Sequence, residues 1–192
     1  MFFLKNEYFF YCHRKLYLSD ISCSDNLVFR ELTSKDINNN AIFNHKGRKG
    51  RYINYLKCGH RFFGFVNTDN KVVSYLWTTC GVNITPLSRY CELMVGKDKF
   101  YIWDCRTLSL YKNKGLYKCG LKEIAAIAAH ASFDKVMICN LKNNYISNKT
   151  MKSLNFDLYK TVKLLTFLGI TIGIVNNKIN SITFFKKLRI SL

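Results

Sequence analysis

The residues whose types and spacing could do chemistry concentrate in CRTLSLYKNKGLYKCGLKEI, residues 105–124. A strand pattern runs into a turn holding Lys112, Lys114 and Gly115, and a helix pattern opens directly behind it. The first turn of a helix has N–H groups without intrahelical partners and carries the positive end of the helix dipole. Gly115 has no Cβ, so a ligand can approach its backbone closely, and the lysines add charge. Together these are the parts of a diphosphate cradle. The segment is not a Walker A loop, because no Gly-Lys-Ser or Gly-Lys-Thr follows, and it lacks a G-x-G-x-x-G fingerprint. Taken alone, it also describes an ordinary strand–helix connection with solvated lysines. A second pattern stands in NYISNKTMKSLNF, residues 144–156. Asn144 follows a strand pattern, Ser147 stands three residues on at a helix start, and Phe156 closes the segment.

Metal chemistry is not expected. The eight cysteines, at positions 12, 23, 58, 80, 91, 105, 119 and 139, form no C-x-x-C pair and no paired Cys/His cluster. Cys58 and His60 are close but have no second half. Cys105, Cys119 and Cys139 fall inside apolar patterns, as reduced buried thiols do, which points to a reducing, cytoplasmic setting. Cys105 and Cys119 flank the basic turn without a histidine partner, so a thiol nucleophile is a minor option. His45, His60 and His130 read as structural or surface groups, and His13 sits in an N-terminus that the pattern does not place.

The elements that must position these residues follow from periodicity. Leu27–Leu32 alternates as a strand, and Thr33 or Ser34 caps a helix with Asp36 in its first turn. Residues 38–51, ending in HKGRKGR, read as an exposed loop. Arg61–Val66 and Lys71–Thr79 form a hairpin about the turn Thr68-Asp69-Asn70, with Gly64 a weakness in the first strand. Pro86 and Ser88 read as loop, Cys91–Val95 as a strand, residues 96–98 as a turn and Phe100–Leu108 as a strand. Leu116–Ala131 is a helix with Leu121, Ile124, Ala125 and Ala128 on one apolar stripe. Lys135–Leu141 is a strand and Ser147–Leu154 a short helix. Strand material runs from Phe156 to Val175, a turn occupies 176–178, and Ile179–Phe185 adds a last strand. The first 26 residues read as an N-terminal extension, a strand or short helix packed onto a single domain over 27–192. This order predicts an α/β (α+β) protein with a mixed sheet and helices on its faces.

At 192 residues, 48% hydrophobic and 15% aromatic, the chain can bury a core and is not of disordered composition. The longest apolar run, 164–175, falls short of the roughly 18–20 residues of a spanning helix, so no membrane span is expected. The start MFFLKNEYFF has no basic stretch ahead of its apolar residues, and no signal peptide is read there. The formal charge of +18 favours polyanions, among them nucleic acid and phosphorylated ligands.

With both patterns in place, the chain resembles the GNAT superfamily of acyl-CoA-dependent N-acyltransferases. The family's Q/R-x-x-G-x-G/A loop corresponds to Lys112-Asn113-Lys114-Gly115-Leu116-Tyr117. Its helix-opening Asn and K-x-G-F-like close correspond to Asn144-x-x-Ser147 and Lys152-x-x-Asn155-Phe156. The resemblance implies a mostly antiparallel central sheet with a cofactor cleft splayed between the family's fourth and fifth strands. It implies acetyl-CoA or another acyl-CoA as donor, with no metal. Thr107 and Leu108 would line the pantetheine arm. Residues Asn113, Lys114, Gly115, Leu116 and Tyr117, with Lys112, would hold the pyrophosphate. Asn144 and Ser147 would meet the cofactor arm from the far side. The chain departs from the family at Lys112 (usually Arg or Gln), Tyr117 (Gly or Ala), Asn155 (Gly) and Met151 (a tyrosine general acid).

An amine attacks a thioester only as the free base, so the resemblance calls for a proton acceptor. Asp104 is the first candidate, placed by alternation on one face with Ile102 and Arg106, and an ion pair with Arg106 is its structural alternative. Glu92, through a water, is the second. Tyr145 or Tyr159 would supply the general acid that Met151 cannot. The acceptor is read as a small acidic amine. An amino-sugar nucleotide fits, because WDCRTLSLYKNKGLY is similar to GNAT members of bacterial surface-polysaccharide (lipopolysaccharide) pathways. Two alternatives stand: a basic nucleic-acid-binding module, and a GNAT-fold protein that binds CoA without transfer. The oligomeric state stays open, a dimer included.

Overall fold

The computed structural model describes residues 4–13, 26–44, 47–81, 83–168, 170–184 and 187–191. In chain order these form β1 (Leu4–His13), β2 (Leu27–Glu31), α1 (Ser34–Asn39), a 3-10 turn at Ala41–Phe43, α2 (Arg48–Lys57), β3 (Arg61–Asn67) and β4 (Val72–Cys80). Then come β5 (Asn83–Ser88), β6 (Cys91–Val95), β7 (Lys99–Thr107), a 3-10 turn at Ser109–Tyr111, α3 (Leu116–His130), β8 (Lys135–Leu141) and α4 (Tyr145–Ser153). The chain ends in β9 (Asp157–Phe167), β10 (Ile170–Val175), β11 (Lys178–Phe184) and β12 (Leu188–Ser191). The chain divides into two compact units: Met1–Lys15 with Cys80–Tyr101 and Asp134–Leu192, and Leu16–Thr79 with Ile102–Phe133. Among the described residues, no helix is long and apolar enough to cross a membrane.

In the unit built on Leu16–Thr79, β2, β3 and β4 pair antiparallel, and β3 and β4 form the expected hairpin. Asn70 takes the left-handed φ of 56° that its turn requires. Asp36 accepts from the Thr33 N–H at 2.8 Å and bonds Arg30 at 2.7 Å, which ties the start of α1 to β2. The stretch expected as an exposed loop is largely ordered as the 3-10 turn and α2. It folds because Phe43 and Tyr52 are fully buried against Phe62, Tyr75 and Trp77, with Phe62 and Trp77 stacked at 4.2 Å. That packing overrides the polar, glycine-containing wording of residues 47–51.

Gly64 is no weakness in β3. A Cβ built there lies 2.5 Å from the Ser74 carbonyl oxygen and 2.8 Å from Leu32 Cδ1. The glycine lets β4 and Leu32 close over the strand. Gly64→Ala therefore forces a backbone shift, and we expect about 1–3 kcal/mol of destabilisation, read as a lower midpoint in urea with unchanged slope.

In the other unit, antiparallel strands run in the order β11-β10-β9-β1-β8, and a small sheet runs β12-β6-β5. β1 lies inside its sheet, with Phe10 opposite both Cys139 and Lys160. Its consecutive buried residues Phe10, Tyr11 and Cys12 suit a strand covered on both faces. Residues 14–25 lie outside the described residues, as do Cys23 and His45. Asn176 and Asn177, at φ 47° and 65°, make a two-residue turn that requires positive φ at both centres. Lys178, expected in that turn, already pairs in β11 with Val175.

Pro86 and Ser88, expected in a loop, lie in β5. Proline is tolerated there because β5 is the edge of its sheet and the register shifts between Pro86 and Ser88. β12 has no counterpart in the expected elements. It pairs parallel with β6, Leu188 opposite Cys91, a partnership about a hundred residues long in sequence that local pattern cannot carry. The pairs β1–β8, β1–β9, β9–β10, β10–β11, β2–β3, β3–β4 and β5–β6 are antiparallel.

Two buried histidines make stability pH-dependent. His13 and His60 are 7% and 4% exposed, and burial pushes both below the ordinary 6.5. The Asp157 charge only partly offsets this at His13. Below about 6.5 the unfolded chain therefore binds more protons than the folded one, so stability falls as pH drops through that window. Asp36 and Asp98, held down at about 2 by Arg30 and Lys135, act only at lower pH. We expect the melting temperature to decline between pH 7 and 5, and His60→Gln to flatten that slope.

Candidate active site

The loop of interest lies in the unit containing Ile102–Phe133. Leu108 and Tyr111 pack on a cluster of Phe65, Val73, Leu116 and Cys119, which anchors both ends of the loop. Behind it, Leu121, Ile124, Ala125 and Ala128 are fully buried, so the expected stripe is the buried face of α3. Gly120 completes the seating: a Cβ there would stand 2.8 Å from Leu76 Cδ1. Core packing thus fixes where the helix begins.

That beginning has the geometry of an anion cradle. Gly115 is the N-cap at φ 76°, and Asn113 is also left-handed at φ 62°. The helical ladder opens with the Cys119 N–H on the Gly115 carbonyl at 3.0 Å, so the amides of residues 116–118 precede it. No acidic residue stands in the first turn. Lys112, Lys114 and Lys118 are exposed around it, Lys114 with its Nζ 5.0 Å from the Tyr111 ring centre. A Cβ built on Gly115 meets nothing within 4 Å, so the space before these amides is open. A pyrophosphate fits such a place.

Upstream, the Leu108 N–H donates to the Val73 carbonyl at 2.9 Å. Thr107 Oγ1 lies 2.9 Å from Ser74 Oγ, which also donates to the Arg106 carbonyl at 3.1 Å.

Asp104 stands at φ 39°, so the regular alternation expected along β7 is interrupted at this residue. Its carboxylate accepts from the Tyr52 hydroxyl of α2 and from Arg106 Nε at 3.2 Å, so the ion-pair alternative is present. Tyr52 also meets the Tyr75 hydroxyl at 2.8 Å. With the Tyr52 hydrogen given to the carboxylate, Tyr75 is the donor in that second bond. Both tyrosines are fully buried. Burial, then the Asp104 charge, pushes the Tyr52 hydroxyl up to about 12, so it stays a donor at neutral pH. Two donors fix the carboxylate's direction, and its remaining lone pairs can still take a proton. The Tyr52 and Tyr75 partnership escaped the sequence reading. Its only local signal, the aromatic wording of 52–55 and 73–77, is equally that of plain core.

Cys105 is in an environment that disfavours a thiolate. Its Sγ donates to the Trp103 carbonyl at 3.8 Å, and burial, then the Asp104 charge, pushes the thiol up. Cys119 is buried, while Cys105 and Cys139 are half-buried residues. None of the seven described cysteines is in a disulfide. His60 bonds Thr79 at 2.8 Å and is structural, and His130 is exposed at the end of α3. No group of His, Cys, Asp or Glu among the described residues could hold a metal.

The other candidates lie in the unit containing Asp134–Leu192. α4 begins at Tyr145, two residues before the expected start, because Asn144 is its cap and accepts from the Ser147 N–H at 3.3 Å. Tyr145 is 80% and Tyr159 40% exposed, whereas Met151 is fully buried. Asn155 takes φ 56°, the conformation usually given to glycine, which asparagine tolerates. Glu92 is paired with Lys187 at 2.9 Å and Arg189 at 3.4 Å. Lys187 foremost, with Arg189, holds its carboxyl below the usual range, which weakens it as a base.

The sequence matches no protein-family model and no curated protein. Solved structures are similar in fold. A Drosophila protein has a TM-score of 0.60 at 10% identity, over 86% of this chain and 52% of its own. An acetyltransferase structure of the GNAT family from Novosphingobium aromaticivorans has a TM-score of 0.55 at 14% identity, over 83% of this chain and 63% of its own. The chain thus spans about half the length of the first and under two thirds of the second. The architecture is GNAT-like: mixed α/β, mostly antiparallel, with a basic loop opening the central helix.

Proposed function

We propose that this chain is an acyl-CoA-dependent N-acyltransferase. The observation that carries the reading is the open, left-handed Gly115 cap before α3, ringed by lysines, in a GNAT-like fold. The amides of residues 113–117 with Lys112 and Lys114 would hold a pyrophosphate, and a Cβ at 115 would fill the space that group needs. When bound, acyl-CoA supplies an activated thioester. Asp104 takes the proton of the attacking ammonium, and Tyr52 and Arg106 hold its carboxylate for that role. The charge of +18 and the unbridged thiols support an acidic amine acceptor, such as an amino-sugar nucleotide of surface-polysaccharide synthesis, met in the cytoplasm.

Melting the protein with acetyl-CoA, free CoA or polyphosphate tests this. At a hundred times Kd, a ligand specific to the native state adds about 2.7 kcal/mol, or roughly 5–10 °C at this size. We expect that shift with acetyl-CoA at micromolar concentration and not with polyphosphate. A shift that polyphosphate reproduces makes the loop a general anion site and ends the reading.

A further inference from the structure

A cavity lies wholly within the other unit. It has a volume of about 740 Å³ and is walled by β1, the 141–143 turn, the start of α4 and the start of β9. None of the loop residues 107–117 lines it. Three features of its wall point to one ligand chemistry.

The first is aromatic. Phe9 and Tyr11 line it from alternate positions of β1, Tyr11 only 3% exposed, and Tyr145 stands on the rim 80% exposed, where no packing requires an aromatic side chain. The second is an orphaned acceptor. Asn148 lines the cavity yet is only 9% exposed. Its Nδ2 donates to the carbonyls of Leu141 at 3.2 Å and Lys142 at 3.0 Å, which fixes the amide's orientation. That leaves Oδ1 buried with no hydrogen-bond partner, and a buried acceptor in that state is completed by a donor N–H. The third is positive charge. Lys5, Lys142 and Lys152 border the cavity, and the N-terminus of α4 opens onto it at Tyr145 with no acidic residue in its first turn. Of the two acidic wall residues, Glu7 is paired with Lys142 at 3.1 Å, with Lys163 at 4.0 Å, and Asp157 remains.

Flat π-faces, an acceptor that needs an N–H, and lysines beside a helix N-terminus are together complementary to a base joined to a phosphate. The volume is that of a small-molecule site. We propose that this cavity binds a nucleoside phosphate, its base against Tyr145 and the β1 rings, a base N–H toward Asn148, and its phosphate on Lys5 and Lys152. The site is independent of acyl transfer and stands whether or not the chain uses acyl-CoA.

Calorimetric titration of the full chain with AMP, CMP and UMP, and with inorganic pyrophosphate, tests this. At least one nucleotide is expected to bind in the micromolar range and more tightly than pyrophosphate. Tyr145→Ala should weaken it about five- to a hundredfold, the range of a lost stacking partner. Lys152→Ala should weaken it and reduce its salt dependence. Both positions are exposed, so the variants keep the fold, which circular dichroism verifies. Gly115→Val should leave nucleotide affinity unchanged, while the acyl-CoA reading predicts loss of acetyl-CoA binding in the same variant, so the two ideas fail separately. Nucleotides no tighter than pyrophosphate overturn the proposal. Wild-type affinity in both Tyr145→Ala and Lys152→Ala overturns it as well, as does nucleotide binding lost in Gly115→Val.

Discussion

Gly115→Val is expected to abolish stabilisation by acetyl-CoA while leaving a folded protein. The cost to the fold is conformational. Gly115 sits at φ 76°, where an L side chain costs roughly 1–2 kcal/mol, and a β-branched one is worse placed still. No clash adds to this, because a Cβ at 115 meets no atom within 4 Å. The cost to the ligand is larger. On the proposed function, the open space before the first-turn amides receives the pyrophosphate, and a valine side chain would occupy it. The anchoring cluster of Phe65, Val73, Leu116 and Cys119 is untouched. We therefore expect a melting temperature lowered by only several degrees, and affinity for acetyl-CoA reduced at least about a hundredfold, the loss of a set of charge-assisted hydrogen bonds. Gly115→Ala should share most of the conformational cost and lose less affinity. If both variants bind acetyl-CoA as the wild type does, the cradle is elsewhere.

Asp104→Asn is expected to lower the transfer rate by about 10²–10⁴, the usual worth of a general base, with acetyl-CoA affinity unchanged. Asparagine keeps the size of the side chain and an oxygen for the Tyr52 hydroxyl, and loses the ability to take a proton. Tyr52→Phe is expected to fall between wild type and Asp104→Asn. It removes one of the donors on the carboxylate and the acceptor of the fully buried Tyr75 hydroxyl, so it also destabilises the fold by about 1–3 kcal/mol. Single-turnover acyl transfer, with acetyl-CoA binding measured in parallel, separates the effects. Loss of binding in Asp104→Asn would make the residue structural, and an unchanged rate would remove it as the base.

What could be read from the chain alone is what depends on neighbours in sequence. The stripe of α3, the β3–β4 hairpin, the strand Lys135–Leu141 and the asparagine turn are local patterns, and the structure has all four, the turn at 176–177 and one residue shorter than the 176–178 expected. The basic turn before a helix was legible for the same reason: a glycine cap, lysines and a helix start are consecutive residues. The features that depend on distant residues were not legible. β1 is an interior strand because β8 and β9, more than a hundred residues away, pair with its two edges. α2 forms over Arg48–Lys57 because Tyr52 has Phe62, Tyr75 and Trp77 to bury against, not because its own wording favours a helix. Asp104 was legible as a carboxylate on a strand beside the loop. Its bond to Tyr52 comes from a helix 52 residues earlier, and its left-handed backbone departs from the regular strand that the local pattern predicts. The amino-acid order by itself determined the local elements and the chemistry of the loop. The tertiary structure decided which strands are interior, which carboxylate is held by two donors and which polar atom is left unpaired beside a cavity. Propensity and periodicity act over a few residues, while burial, strand pairing and hydrogen bonding are settled only when distant segments meet.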